Sequence, residues 1–468
     1  MRSFRCGVTF ILSVFTTIPI LARAQSAAVN PPSVSVAPLA PIAKTPQSAA
    51  GVAAASTAAA SSQTIPLSLV DAEGFALKNQ PRLLAEQFRA QAASRRTAES
   101  RASYFPQVFG NLTAVETNGD SAIAAGAVST SSISTRAAAG GSLVQMVTDF
   151  GHTSNLVQSA RFEAKSAEQD QERIRQLVLM QLDEAYFEAQ AADNVRKTTQ
   201  AVLEFRNTTL RQLSALAQSQ LRSTLDVQFA QVLVSEAELA NVRAESNAEK
   251  ALAQLAAAMG AEDGATYALS EVPMPPAPDA DPRGYIDAAI ADRPDLKALK
   301  LHSESAVHQA RAEQDLNYPT VNVLASGGEV PIHDSTIHHE YGAVGVNVNI
   351  PIFNGGLYSA RSAAAKLEAK ASEKDASVRE VEIARDVRMA WADARDAYLQ
   401  IAVAQRLVDE TNVAMRLAQA RYNAGLGGIV ELNQAELNQT SALITAATAR
   451  FDYLRAMTDL QFAVGNLY

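Results

Sequence analysis

The sequence predicts a mainly α-helical chain with a small β part, in which one unit of long coiled-coil helices and a β-hairpin occurs twice. Three observations favour this fold class. Hydrophobic residues make up 47% of the 468 residues but aromatic residues only 6%, as in closely packed helices. The sequence contains an internal repeat, and its hydrophobic period changes from helical to strand-like at matching points of both copies.

Charge and composition exclude several classes of function. The chain has 40 Lys and Arg against 49 Asp and Glu, a net charge of -9, without basic runs that contain aromatic residues. A nucleic-acid partner is therefore not expected. The sequence shows no nucleophile motif, paired acids or phosphate-binding loop, so neither an enzyme nor a cofactor is predicted. His333, His338 and His339 cluster without the fixed spacing of metal ligands, and no metal site is predicted.

The N-terminal 64 residues are expected to lie outside the folded unit. Residues 1–24 have two arginines before an apolar stretch and then an Ala-Arg-Ala cleavage site, the pattern of a secretory signal peptide. A transmembrane anchor is the alternative, but the apolar stretch is short and interrupted by Pro19. Residues 25–64 are rich in Ala, Ser and Pro and predict a disordered leader. Cleavage would also remove Cys6, the one cysteine of the chain.

The repeat divides the remaining chain into two halves. The segment from Leu77 (LKNQPRL) resembles the segment from Ile290 (IADRPDL), 213 residues later. Further along, Leu225-Asp226-Val227 resembles Val430-Glu431-Leu432 at an offset of 205. The change of offset falls within the predicted hairpins. The predicted domains are a first repeat at 65–263, a linker at 264–284 and a second repeat at 285–468.

Each repeat is expected to contain the same elements in the same order. A helical segment (67–103 and 285–316) ends before an aromatic-Pro step, because a residue preceding proline is driven towards extended geometry. The period then becomes 2, which predicts hairpins at about 107–149 and 320–351 with outer loops at 117–135 and 328–340. A helix of about 65 residues follows to a break near Gln218 or Gly425, and a helix of about 35 residues closes each repeat.

The long helices carry coiled-coil spacing. In the second repeat the expected seam is Ala384, Val387, Trp391, Ala394, Tyr398, Ile401, Gln405 and Val408. A secreted coiled-coil rod or adaptor would share this spacing, but it would not explain two hairpins at matching points. Four strands cannot close a barrel, and lipid does not tolerate open sheet edges. If the strands face lipid, several chains must contribute them, and two or three chains both give allowed strand numbers.

Several motifs in order resemble the TolC family of outer-membrane efflux and secretion channels. They are Tyr104-Phe105-Pro106 and Tyr318-Pro319 before the strands, Pro351-Ile352-Phe353-Asn354-Gly355-Gly356 after them, and Arg421-Tyr422-Asn423-Ala424-Gly425 with Ile429-Val430-Glu431-Leu432 near the end. The resemblance implies a homotrimer with a 12-stranded β-barrel in outer-membrane lipid and a periplasmic α-helical barrel. It also implies a passive conduit that serves a periplasmic adaptor and an inner-membrane pump.

The same resemblance indicates candidate residues at the periplasmic tips, predicted at 214–224 and 422–428. Glu431 matches the first acid of a pore ring, and Gln434 stands where a second acid often occurs. Asp226 and Tyr422 match a latch in which a carboxylate accepts a hydroxyl hydrogen bond. Gly427 falls where an arginine would make that latch charge-assisted, so a weaker latch is expected. The adaptor-contacting tips would include Gln220, Ser223, Gly425 and Gly428.

Each candidate also has a purely structural interpretation. Asp226 follows Ser223 and Thr224 and is equally consistent with the first turn of a helix, where carboxylates favour the positive end of the helix dipole. Glu431 is alternatively an acid on a solvated helix face. Tyr422 is as consistent with packing as with a latch.

Overall fold

The computed structural model describes residues 65–116, 121–125, 128–133, 136–261, 267–332 and 338–467. The predicted signal peptide and leader lie outside these described residues. The helices are α1 (Leu69–Asn79), α2 (Pro81–Ala102), α3 (His152–Gln218), α4 (Thr224–Met259), α5 (Arg283–Asp292), α6 (Pro294–Asp315), α7 (Leu357–Asn423) and α8 (Ile429–Val464). The strands are β1 (Ile65–Leu67), β2 (Gln107–Val115), β3 (Ser121–Ala125), β4 (Val128–Ile133), β5 (Arg136–Thr148), β6 (Tyr267–Leu269), β7 (Thr320–Ile332) and β8 (Glu340–Asn349).

The four long helices have matched lengths. Both α3 and α7 contain 67 residues, and both α4 and α8 contain 36. At 1.5 Å per residue, the longer helices extend about 100 Å. The predicted long and closing helices are therefore confirmed. Within the described part of the chain, no helix has both the length and the apolar composition needed to cross a membrane.

The leading helical segment of each half is broken, although a continuous helix was expected at 67–103 and 285–316. Pro81 begins α2 and Pro294 begins α6, and the residue before each proline is not helical, with ψ values of 114° and 124°. Proline has no N–H for the helix ladder, and it pushes the preceding residue out of helical geometry. The prolines were visible in the sequence, and their position one turn or more inside the helical pattern should have predicted the break.

Both breaks pack against the end of a closing helix. Gly260 ends α4 with φ +72°, and a Cβ there would lie 3.1 Å from the Gln80 Cα. Gly465 ends α8 with φ +83°, and a Cβ there would lie 3.0 Å from the Arg293 Cα. The same close approach therefore occurs at both breaks, and glycine provides both the left-handed backbone and the space.

The main sheet is antiparallel, in the order β2-β5-β7-β8. Between β7 and β8, Val321 pairs with Val348, Val323 with Val346, and Ala325 with Val344, whereas the intervening pair is Asn322 with Asn347. Residues opposite each other share a face, so the register collects apolar side chains on one face. This outcome matches the alternation in the sequence.

Three details of the β part differ from prediction. The first hairpin is not simple, because β3 and β4 form a separate two-stranded sheet within the loop expected at 117–135. The second outer loop is shorter than 328–340, because β7 continues to Ile332. The linker expected at 264–284 contains β6, which pairs in parallel with β1. The Tyr186 hydroxyl donates to the carbonyls of Leu67 and Ser270 beside this pair, at 2.9 and 2.8 Å.

The core lies along the seams between helices. Tyr186, Leu182 and Leu255 are fully buried in a cluster that joins α1, α3 and α4. In α7 the expected seam holds at Val387 and Ala394 but changes further along the helix, because Ala404 is buried and Gln405 is exposed. A step of three residues there replaces the expected step of four, which keeps a small apolar side chain in the interface.

Candidate functional site

Two short turns lie together at one end of the long helices. The first tip turn, residues 219–223, joins α3 to α4, and the second tip turn, residues 424–428, joins α7 to α8. Both are shorter than predicted because α3 runs on to Gln218 and α7 to Asn423. Gln220 and Gly425 have φ values of +59° and +75° and reverse the chain. These turns hold most of the candidate residues.

The two turns start their second helices differently. The Ser223 Oγ accepts a hydrogen bond from the Leu225 N–H at 3.1 Å and caps α4. Gly428 occupies the equivalent position before α8 and provides no side-chain cap. A serine cap typically stabilises a helix end by about 1 kcal/mol, and replacement of a good cap by glycine costs only a few tenths. The N-termini of α4 and α8 therefore both form stably, and the N-terminus of α4 is fixed more firmly.

The structure brings Asp226 and Tyr422 together, 196 positions apart in the chain. The Tyr422 hydroxyl donates to the Asp226 Oδ2 at 2.8 Å. Tyr422 is only 3% exposed, and burial together with the Asp226 carboxylate raises its pKa to about 12. The hydroxyl therefore keeps its proton at neutral pH and remains a donor. Asp226 also lies in the first turn of α4, as its purely structural interpretation predicts.

Arg222 supplies a guanidinium that the sequence analysis missed. Its Nη2 donates to the Tyr422 carbonyl at 2.7 Å, and its Cζ lies 4.1 Å from the centre of the Tyr422 ring. A cation at this position over an aromatic face is attracted to the ring. Gly427 indeed provides no arginine, but Gly427 lies 205 residues after Arg222, which is the repeat offset. That offset was the signal for Arg222. The weaker latch expected from Gly427 stays a prediction, because Arg222 contacts the carbonyl and ring of Tyr422.

Glu431 is paired within its own chain. Its Oε1 lies 2.9 Å from the Arg421 Nε, and each side chain is 47% exposed. A Cβ on Gly427 would lie 2.9 Å from the Glu431 Oε2, so glycine leaves room for this pair. The expected pore ring of Glu431 stays a prediction, and within the chain each acid has Arg421 as a neighbouring cation. Gln434 is exposed and donates to the Asn438 Oδ1 at 3.0 Å.

A buried ion pair above the turns was also missed. Arg206 of α3 and Glu436 of α8 form a salt bridge, with 5% and 2% of their side chains exposed. Leu213 and Leu432 line a small cavity together with this pair, and both belong to an apolar cluster that also contains Tyr422. The acid follows Leu432 by four residues, so a core-facing spacing was visible. Its partner, Arg206, lies 230 positions away and could not be recognised from the sequence.

The described residues contain no group of three or more histidines, cysteines or acids arranged to hold a metal ion. Hydrogen bonds, ion pairs and apolar packing hold the two helical hairpins at the tip. Such an arrangement can hold the hairpins together or release them.

A family model described as outer membrane efflux protein matches residues 74–261 and 285–466. The chain belongs to the outer membrane efflux protein family. Membership confirms the predicted outer-membrane channel of an efflux or secretion system rather than the alternative of a secreted periplasmic rod or adaptor. It also confirms a location in the cell outer membrane with a large periplasmic portion. The family consists of channel proteins and not enzymes.

Individual members of the outer membrane efflux protein family show the extent of the similarity. Protein CyaE of Bordetella pertussis is 24% identical over 383 residues, which cover 80% of this chain and 79% of that protein. Outer membrane efflux protein BepC of Brucella suis biovar 1 is 22% identical over 415 residues, which cover 87% of each. The solved structure of the outer-membrane channel OprN matches with a TM-score of 0.73 at 20% identity, over 85% of this chain and 90% of that one.

Proposed function

We propose that three copies of this chain form a passive conduit from the periplasm to the exterior. Each chain contributes the four strands of the β2-β5-β7-β8 sheet, whose outer strands β2 and β8 have no neighbour on one side in the described residues. Three chains would pool twelve strands and close both edges, as lipid requires. The apolar face that includes Val344, Val346 and Val348, each more than half exposed, supports contact with outer-membrane lipid.

The proposed partners are a periplasmic adaptor and an inner-membrane pump at the tip turns. Gln220, Ser223, Gly425 and Gly428 would form the contact surface, because the two turns are the point where the helices reverse. Relatives support this class of partner in general terms, since one is named as an efflux protein and another as an alkaline protease secretion protein. The chain would need no cofactor, because substrate passes through without chemical change.

The observation that supports gating is the hydrogen bond from Tyr422 to Asp226. It joins α7 to α4, so it ties the second helical hairpin to the first. The hydroxyl is buried and the acceptor is a carboxylate, a combination that is stronger than a neutral hydrogen bond. Separation of the hairpins would require this bond to break. We propose that it holds the tip in its narrow state.

Single-channel conductance in a planar bilayer tests the proposal. Tyr422→Phe removes the donor and Asp226→Ala removes the acceptor, and each should raise conductance or the open fraction. Tyr358→Phe is the matched control, because Tyr358 lies at the opposite end of α7 and should leave conductance unchanged. Conductance that is equal in the wild type, Tyr422→Phe and Asp226→Ala would show that the pair is structural only.

A further inference from the structure

A large cavity lies above the tip turns, between α3 on one side and α7 and α8 on the other. Its volume is about 920 Å³, and Tyr422 forms part of its wall. Cavities of this size accommodate small organic molecules, which generally need several hundred Å³. No sequence motif pointed to it, because its walls come from helices that are far apart in the chain.

The charge of the cavity wall is opposite to that of the chain. Lys197, Arg206, Arg222 and Arg416 line it, and no Asp or Glu does. The whole chain has a net charge of -9, so an all-cationic wall is not a sample of its average surface. The carboxylates that neutralise nearby cations, such as Glu436 beside Arg206, lie outside this wall.

Two of the four cations have no carboxylate partner. Lys197 pairs with Asp193 at 2.9 Å, and Arg206 pairs with Glu436. Within the ranges that the structure describes, Arg222 and Arg416 form no salt bridge to an acid. Arg222 contacts the Tyr422 carbonyl, and Arg416 donates weakly to the Asn412 carbonyl at 3.4 Å. Both retain guanidinium N–H groups that an acidic ligand would satisfy.

The remainder of the wall is mainly apolar. Leu213, Met415 and Leu432 are buried there, and Phe205 is 47% exposed. An aromatic ring and aliphatic side chains beside guanidinium groups form a surface that is partly apolar and partly cationic. It fits a ligand that carries one acidic group on an apolar body, because the apolar part gains by leaving water and the acid gains a cation.

We propose that this cavity is a binding site for amphipathic organic anions, with Arg416 and Arg222 holding the acidic group and the apolar wall holding the body. Carboxylates and sulfonates on an aromatic or alkyl framework are the ligand class. Binding to the cavity does not depend on the proposed conduit or latch. Because Tyr422 and Arg222 belong to both the cavity wall and the tip contacts, occupancy would be linked energetically to those contacts.

Isothermal titration calorimetry of the full-length protein in lipid nanodiscs tests the site. The probe is naphthalene-2-sulfonate, and the matched comparison is a naphthyl trimethylammonium salt of the same size and opposite charge. Empty nanodiscs measure partition into lipid. The sulfonate should bind saturably with one site per chain, and the ammonium compound should bind at least tenfold more weakly.

Three variants locate the site. Arg416→Gln removes a cation without a carboxylate partner and should weaken binding about fivefold. Ala201→Trp fills the cavity while all four cations remain, and it should abolish saturable binding. Arg406→Gln, on the same helix but not part of the cavity wall, is the control and should bind as the wild type does.

Each outcome bears on the proposal. Saturable sulfonate binding that Ala201→Trp removes and Arg406→Gln preserves would support it. Equal binding of the sulfonate and the ammonium compound would overturn it, because the cations would then have no role. Sulfonate binding that survives Ala201→Trp, or the absence of saturable binding to the wild type, would overturn it as well.

Discussion

Glu436 illustrates how a single side chain can fix two helices together. Its carboxylate is buried against Arg206, and neither group is exposed by more than 5%. The two charges were removed from water at considerable cost, which their mutual attraction roughly offsets. The pair therefore contributes little net stability as a pair. Removal of one member alone leaves a buried charge without a partner.

Glu436→Ala should accordingly destabilise the protein by about 3–5 kcal/mol, because Arg206 would remain buried and unpaired. The double variant Arg206→Met with Glu436→Leu should recover most of that loss, since apolar residues of similar size replace both charges. Thermal unfolding in detergent, followed by circular dichroism, measures both changes.

Glu431→Ala is the matched control, because Glu431 lies on the same helix and its pair with Arg421 is half exposed. Exposed pairs contribute between about 0 and 1 kcal/mol, so this variant should change stability little. Equal effects of Glu436→Ala and Glu431→Ala would contradict the assignment of a buried pair.

The residue scale also shows what the sequence could predict. Asp226 and Tyr422 were paired in advance because they match a latch pair of the family that the sequence resembles. Arg222 could have been found from its repeat offset to Gly427. Arg206, the partner of Glu436, could not have been found from the sequence. Which side chains of α3 face α8 depends on how the two helices are rotated, and their contacting residues are more than 200 positions apart.

At the scale of elements, α1 is attached to α3 through two carboxyl groups. Asp183 of α3 is 4% exposed, and Glu73 of α1 is its neighbouring carboxyl group. Burial and the neighbouring Glu73 raise the pKa of Asp183 to about 8. Burial also raises the pKa of Glu73. A proton is therefore retained between the two groups near neutral pH.

This proton predicts the direction of a pH effect. Between pH 4 and pH 8 the folded state binds the proton while the unfolded state has released it, so stability falls as pH rises. Asp183→Asn keeps a hydrogen-bond donor towards Glu73 without a titrating proton. It should be more stable than the wild type at pH 8, and should reduce the pH slope by up to about 1.4 kcal/mol per pH unit.

Unfolding temperatures measured from pH 4 to pH 8 provide the readout. Asp170→Asn on the same helix is the control, because Asp170 is partly exposed and lies beside Arg173 at 3.5 Å. Parallel pH profiles for the wild type and Asp183→Asn would refute the retained proton.

Element boundaries were more predictable than element neighbours. Helical period and glycine positions placed the ends of α3, α4, α7 and α8 within a few residues. The pairing of β1 with β6 was missed, because each strand has only three residues and no strand period can be recognised over that length. The division into repeats at 65–263 and 285–468 stays a prediction, which the similar order of elements in both halves supports.

At the scale of the whole molecule, the main sheet determines the expected assembly. A sheet of four strands has two edges, and an exposed apolar face beside open edges is unstable in water and in lipid. The fold class followed from the sequence pattern, and the outer-membrane location followed from the resemblance to a known family. The number of chains does not follow from one chain, because both eight and twelve strands close a barrel.

Native mass therefore provides the test at this scale. Light scattering of the protein from purified outer membranes, in mild detergent, should give three times the mass of the mature chain. Replacement of Val346 by Asp on the apolar face of β8 should reduce recovery in the outer-membrane fraction, because a charge on a lipid-facing strand is costly. The polar-face variant Asn347→Asp is its control. A dimer, or a soluble monomer, would contradict the trimer.

The matched helix lengths restrict how this architecture can change in size. Both turns lie together only because α3 and α7 each contain 67 residues and α4 and α8 each contain 36. Deletion of seven residues from α3 alone would shift Arg222 by about 10 Å from Tyr422. A relative whose hairpins differ in length beside the tip turns must therefore gain or lose the same number of turns in all four helices. Insertions and deletions in these helices are coupled events, whereas the outer loops can vary one at a time.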